Sequence, residues 1–162
     1  MLFRSSGRAG TSHVLRSLED HAFVRDALTV SARATTTRSG TRLFLRLEVR
    51  GAGHAVPTGD IFRELRIRAW NGPREVVRTL RRHFAEQRTA RGWVLRDSVD
   101  ERVMPDEPKE VVLELPPSAA EVHYAIEILR LDLGDARRRG LPDDVVIVPV
   151  AEGAVTPVAR RR

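Results

Sequence analysis

Residues 28–49 read LTVSARATTTRSGTRLFLRLEV, the most regular pattern in this 162-residue chain. Apolar side chains recur at every second position, at Leu28, Val30, Ala32 and Ala34 and again at Leu43, Leu45, Leu47 and Val49. Such alternation is typical of β-strands with one buried face. The intervening Arg38-Ser39-Gly40-Thr41 is a turn signal, so the stretch predicts a β-hairpin.

Further strand-like runs follow at 65–69, 111–115, 122–131 and 145–150, separated by turns rich in Gly and Pro. The run at 122–131 is apolar on both faces, which is typical of a central strand. Pro149 predicts that the last strand lies at a sheet edge, because proline lacks the backbone N–H. Residues 76–84 fit both helical and strand spacing, and their neighbours favour strand. We interpret 134–144 as a basic loop.

We therefore predict an all-β fold, an immunoglobulin-like antiparallel β-sandwich. A short helix is expected within 14–27, where the apolar spacing is helical. The expected organisation is a flexible lead-in at 1–13, a single sandwich domain at 14–155 and a basic C-terminal tail at 156–162.

The composition excludes several classes of chemistry. The chain contains no cysteine, so it has no thiolate nucleophile, no disulfide, no iron–sulfur cluster and no C-x-x-C-H site for covalent haem. Aromatic residues make up only 5% of the chain. Both tryptophans, Trp70 and Trp93, lie in apolar runs, and we expect them to pack in the core.

The chain has 28 basic and 22 acidic residues, and its formal net charge is +6. Nearly all the basic residues are arginines, which are spread along the strands among acidic residues. This distribution favours a solvated surface and makes nucleic acid an unlikely partner. An arginine-rich binding module for a polyanion or an acidic protein partner stays open as the alternative function.

Targeting signals are not visible in the sequence. The N-terminal residues form no apolar stretch of the kind found in secretory signal peptides, and no run is long enough for a membrane span.

The most specific motif is GHAVPTGD at residues 53–60. Its glycines and Pro57 permit a tight backbone path that could hold the His54 imidazole in a fixed direction. A fixed imidazole suits an axial ligand of a metal or a haem iron. The alternative is a histidine that only stabilises its own turn through bonds to neighbouring backbone groups.

The motif resembles the G-H-x-x-P-T-G segment of the haem-free C-terminal β-sandwich region of multihaem c-type cytochromes. Two other stretches are similar to that region. Residues 12–30 resemble the junction with the haem-binding part, and DERVMPDE at 100–107 resembles a later acidic turn, with Asp106 in place of the usual glycine. The likeness covers roughly residues 12–150, whereas the haem-binding part with its C-x-x-C-H motifs is not present in this sequence.

The resemblance implies a non-catalytic accessory module of an electron-transfer protein. Its partner would be a haem-bearing cytochrome domain or subunit, in a periplasmic or other extracytoplasmic location. The cofactor-binding residues implied are His54 and His13, which would contact a haem held by another domain or chain. The motif loop would comprise Gly53, His54, Pro57, Thr58, Gly59 and Asp60. No cofactor is expected to be bound covalently, and no metal ligands are predicted.

No catalytic residues are predicted either, because no G-x-S-x-G elbow or comparable catalytic set occurs. An enzyme whose site the sequence does not reveal stays open. The acidic residues between Asp97 and Glu107 lack the spacing of an EF-hand and are expected to pair with arginines.

Overall fold

A computed structural model describes residues 21–50, 52–58 and 63–159, and it confirms the all-β fold with a short N-terminal helix. The elements are α1 (His21–Asp26), β1 (Leu28–Thr36), β2 (Thr41–Val49), β3 (Glu64–Trp70), β4 (Glu75–Leu80), β5 (Arg82–Thr89), β6 (Gly92–Asp100), β7 (Lys109–Leu115), β8 (Val122–Leu129), α2 (Leu133–Arg138), α3 (Asp143–Val146), β9 (Ile147–Val155) and β10 (Val158–Ala159). The segment that fitted both helix and strand spacing is extended, as predicted.

The first sheet has the strand order β10-β1-β2-β7. The predicted hairpin pairs Leu28 with Val49 through to Thr36 with Thr41, so β1 and β2 are in full register. Because side chains alternate across the pleat, every second residue of β2 points to the same buried face. β10 runs parallel to β1 and pairs with it at two positions. The segment expected to be a tail therefore includes two residues that lie in the sheet.

The second sheet has the order β4-β3-β8-β9. β8 is internal, as its two apolar faces predicted, and β9 is an edge strand, as Pro149 predicted. The register between β8 and β9 shifts after the pair Ile126 and Ala151, since Glu127 then pairs with Pro149. The shift leaves Val150 as an extra residue beside the proline, a β-bulge at an edge.

The core lies between these two sheets. Buried leucines of β2 and β7 meet buried residues of β3 and β8 in one hydrophobic cluster. Leu43, Leu47, Leu65, Ile67 and Ile126 expose none of their surface. The core is therefore built from aliphatic side chains, as the low aromatic content requires.

A buried carboxylate lies on the outer face of the second sheet. Glu127 on β8 is 8% exposed and accepts bonds from two arginines of β3. Arg66 donates to its Oε2 from Nε at 2.8 Å, and Arg68 donates to its Oε1 from Nη2 at 2.9 Å. Charge-assisted bonds at both oxygens satisfy the carboxylate that β8 buries.

β5 and β6 form a separate two-stranded sheet, and here one expectation is wrong. Trp93 on β6 is 68% exposed, so it does not pack in the core. The cause is topological, because the β5–β6 hairpin pairs with neither sheet of the sandwich and every residue of β6 is exposed. Trp70 on β3 is not a core residue either, because it is half-buried and stacks on the exposed His123.

The expected basic loop at 134–144 is also only partly a loop, because α2 and the start of α3 lie within it. Asp132 caps α2, since its side chain accepts a bond from the Asp135 backbone N–H at 3.0 Å. None of the helices in the part of the chain that the structure describes is long and apolar enough to cross a membrane.

Candidate functional site

The long connections of the sandwich gather at one end, which we call the loop end. Leu47 of β2 pairs with Lys109 of β7, so the segment after β2 and the segment before β7 leave the first sheet together. Glu64 at the start of β3 pairs with Leu129 at the end of β8 in the second sheet. The motif loop, the acidic turn, the base of the β5–β6 hairpin and the α2–α3 segment therefore all lie at the loop end.

The two stretches that carry the family resemblance are bonded to each other there. Val56 of the motif loop and Val103 of the acidic turn exchange both backbone hydrogen bonds, each with an N to O distance of 2.9 Å. Val103 is fully buried and Val56 is 4% exposed. Although 47 positions apart in the numbering, these stretches form one local structure.

The middle of the motif loop is buried, whereas its histidine lies on the surface. Ala55, Val56 and Pro57 are buried, and the peptide bond between Val56 and Pro57 is cis. Thr58 accepts a bond at its carbonyl from Arg63 Nη1 at 2.8 Å. Gly53 and His54, by contrast, are exposed. The loop is thus held without help from the imidazole.

His54 itself makes one polar contact within the described residues. Its Nδ1 lies 3.4 Å from the carbonyl oxygen of Ala55, a distance at the long end for a hydrogen bond. The imidazole of His54 therefore contributes little to the stability of its own turn. Nε2, the ring nitrogen on the far side from Nδ1, makes no hydrogen bond with the described residues.

The expected pairing of the acidic residues with arginines is confirmed for Asp97, Asp100 and Glu101, whereas Asp106 and Glu107 form no ion pair with the described residues. Asp100 forms a two-pronged pair with Arg102, with Nε to Oδ1 at 2.9 Å and Nη2 to Oδ2 at 2.6 Å. The Arg102 bond lowers the pKa of Asp100.

Glu101 joins the hairpin to the sandwich. It accepts bonds from His83 of β5 at 2.8 Å and from Arg78 of β4 at 2.6 Å, and the His83 bond is the main cause that lowers the pKa of Glu101. Its backbone N–H also donates to the Arg81 carbonyl at 3.0 Å. These bonds fix the base of the hairpin at the loop end.

Three of the predicted site residues, His13, Gly59 and Asp60, lie outside the described residues. The structure places Gly53, His54, Pro57 and Thr58 together in the motif loop. Within residues 21–50, 52–58 and 63–159, no three His, Asp or Glu side chains are arranged to hold a metal ion.

The exposed hairpin was the feature that sequence reasoning missed. Its signal was present, since Thr89 to Gly92 is a turn between two runs and Gly92 adopts a φ of +117°, which side-chain-bearing residues rarely adopt. What the pattern did not reveal is that neither face is covered.

Comparison with solved structures finds a penta-heme cytochrome c552 from Thermochromatium tepidum. The TM-score is 0.61 and the sequence identity is 16%, over 88% of this chain and 42% of that chain. The present chain thus spans less than half of that cytochrome, and the likeness shows a shared fold. No family model matches the chain. No curated protein matches it either.

Proposed function

We propose that this chain is an accessory module of a multihaem c-type cytochrome that packs its loop end against a haem-bearing domain or subunit. In this role it carries no electrons itself. It supports and shapes the surroundings of a haem that is attached elsewhere. The site would operate outside the cytoplasm, where c-type cytochromes of this kind work.

One observation carries the proposal. The motif loop is anchored through buried Ala55, Val56 and Pro57 and through its bonds to Val103, while His54 lies on the surface and its Nε2 makes no hydrogen bond with the described residues. A buried anchor beneath an exposed imidazole is the arrangement that an axial ligand or a haem-edge contact needs, because the ring direction is set before the partner arrives.

The shared fold supports the same proposal. A solved structure that shares this fold is named a penta-heme cytochrome, and this chain matches less than half of it. The backbone hydrogen bonds between Val56 and Val103 join the two segments that resemble the cytochrome region. Because the resemblance was inferred from the sequence alone, this contact supports it independently.

Charge pairing favours this role over a polyanion-binding module. Many of the described arginines, most of them on strands, form ion pairs with carboxylates, including Arg42, Arg46, Arg66, Arg68, Arg78, Arg81, Arg82 and Arg102. Paired arginines on separate strands do not form the continuous basic groove that a nucleic acid requires.

The test is to purify the chain with an affinity tag from its native source and to measure covalent haem by the pyridine haemochrome assay. We expect c-type haem in a fixed ratio of several haems per copy of the chain. C-x-x-C-H codons are expected in the DNA directly upstream or in an adjacent gene. Haem-free chain from cells that make it, together with no such codons, would overturn the proposal.

A further inference from the structure

The β5–β6 hairpin presents a surface that the haem-contact role does not use. It forms its own two-stranded sheet, and neither strand pairs with another strand of the described residues. All nine residues of β6 are exposed. A two-stranded sheet that does not pack its face is unusual, because an isolated hairpin is marginally stable in water.

One face of the hairpin has an apolar centre. Arg88 pairs with Trp93 and Glu86 pairs with Leu95, so these four side chains share a face. Trp93 is 68% exposed and Leu95 is 57% exposed. A tryptophan beside an arginine is the composition found at the energetic centres of protein interfaces.

The part of the hairpin beyond its base is positively charged. Residues 86–96 contain Arg88, Arg91 and Arg96 and one carboxylate, Glu86, so three positive charges minus one negative give +2. None of these three arginines has an ion-pair partner among the described residues. Nearer the base, Arg82 is paired with Asp97 and lies over the Phe84 ring at 5.2 Å.

The positive charge of residues 86–96 determines which kind of partner can bind the face that carries Trp93 and Leu95. Arg88 lies on this face and Arg91 lies in the turn, whereas Arg96 follows Leu95 and points to the opposite face. Two copies docked through this face would bring four of these arginines together against only two Glu86 carboxylates, and such an excess of like charge is unfavourable. An acidic surface would pair with the arginines while its apolar side chains cover Trp93 and Leu95. We propose that the distal hairpin, residues 86–96, is a docking arm for a protein partner with an acidic surface around an apolar patch.

The experiment uses Trp93 as its own reporter. Trp70 lies at the opposite end of the sandwich, stacked on His123 at a ring distance of 5.8 Å, and Trp70→Phe leaves Trp93 as the sole tryptophan. This variant is titrated with a random copolymer of glutamate and tyrosine, which offers carboxylates and aromatic rings. We expect Trp93 emission to shift to shorter wavelength, with an affinity that falls as salt is raised.

A charge-matched pair of variants locates the contact. In the Trp70→Phe background, Arg88→Glu with Arg91→Glu should weaken copolymer binding by about tenfold or more. Arg38→Glu with Arg74→Glu makes the same change of charge at exposed turns of the opposite end, and it should change the affinity less than about twofold.

Three results would overturn the docking arm. The first is that both double variants weaken copolymer binding equally. The second is that the copolymer does not shift Trp93 emission. The third is that the chain sediments as a dimer and that Leu95→Ser converts it to a monomer. None of these readouts involves haem, so the docking arm can fail while the cytochrome role stands, and the reverse also holds.

Discussion

Two hairpins of this chain look alike locally and differ in what covers them. β1–β2 and β5–β6 are both antiparallel pairs of long strands joined by a short turn with glycine. The inward residues of β2 are buried in the core and those of β1 are buried or half-buried, whereas β6 has no buried residue. Local alternation therefore determines which strands pair, while long-range packing determines whether a face becomes core or contact surface.

The largest expected difference between the hairpins is in stability. Leu45 on β2 is 1% exposed and Leu95 on β6 is 57% exposed. We expect Leu45→Ala to lower the free energy of unfolding by about 2–5 kcal/mol, because it leaves a cavity in the core. Leu95→Ala should change it by less than about 0.5 kcal/mol. Urea denaturation measures both, and similar losses would mean that the hairpin packs on the sandwich.

A second difference concerns ion pairs. Glu127 is buried between Arg66 and Arg68, whereas Glu114 pairs with Arg42 at side chains that are 71% and 60% exposed. Glu127→Gln should cost about 1–3 kcal/mol of unfolding free energy, because two guanidinium bonds lose their charged acceptor. The control Glu114→Gln should cost less than about 0.5 kcal/mol. Equal losses of unfolding free energy in the two variants would show that burial does not strengthen the contribution of the Glu127 ion pairs.

A smaller effect is expected from acid at the base of the hairpin. Asp100 and Glu101 have pKa values below their ordinary 3.8 and 4.5, chiefly through bonds from Arg102 and His83. Since the folded pKa is lowered, their contribution to stability is present above these ordinary values and is lost as pH falls through the folded values. The double variant Asp100→Asn with Glu101→Gln should therefore lose less stability on acidification than the wild type. Parallel pH profiles of the denaturation midpoint would show that the two carboxylates do not contribute.

Much of the fold could be predicted, because strand alternation and turn residues act locally. The β1–β2 hairpin, the central position of β8 and the edge position of β9 at Pro149 followed from such signals. The exposure of Trp93 could not be predicted, since an apolar run has the same pattern whether it faces a core or solvent. Helix α2 could not be predicted either, because residues 133–138 contain only two apolar side chains, Leu133 and Ala136, which are too few to define a helical period.

Less of the candidate site could be predicted. The sequence singled out the motif around His54, but the contact between Val56 and Val103 depends on how β2, β7 and the acidic turn meet in space. The unpaired arginines of the hairpin could not be separated from the paired ones, because pairing depends on neighbours across strands. The role of His54 stays a prediction.

The most direct test of the central claim is a redox titration of the haem-bearing assembly that contains this chain, followed by visible spectroscopy. His54→Ala is compared with His123→Ala, which removes an exposed histidine at the opposite end of the sandwich. We expect His54→Ala to shift the spectrum or the potential of one haem while its unfolding free energy changes by less than about 0.5 kcal/mol, since the imidazole scarcely braces its loop. His123→Ala should leave every haem unchanged. If His54→Ala also leaves every haem as in the wild type, His54 is not at a haem and the account of the loop end is contradicted.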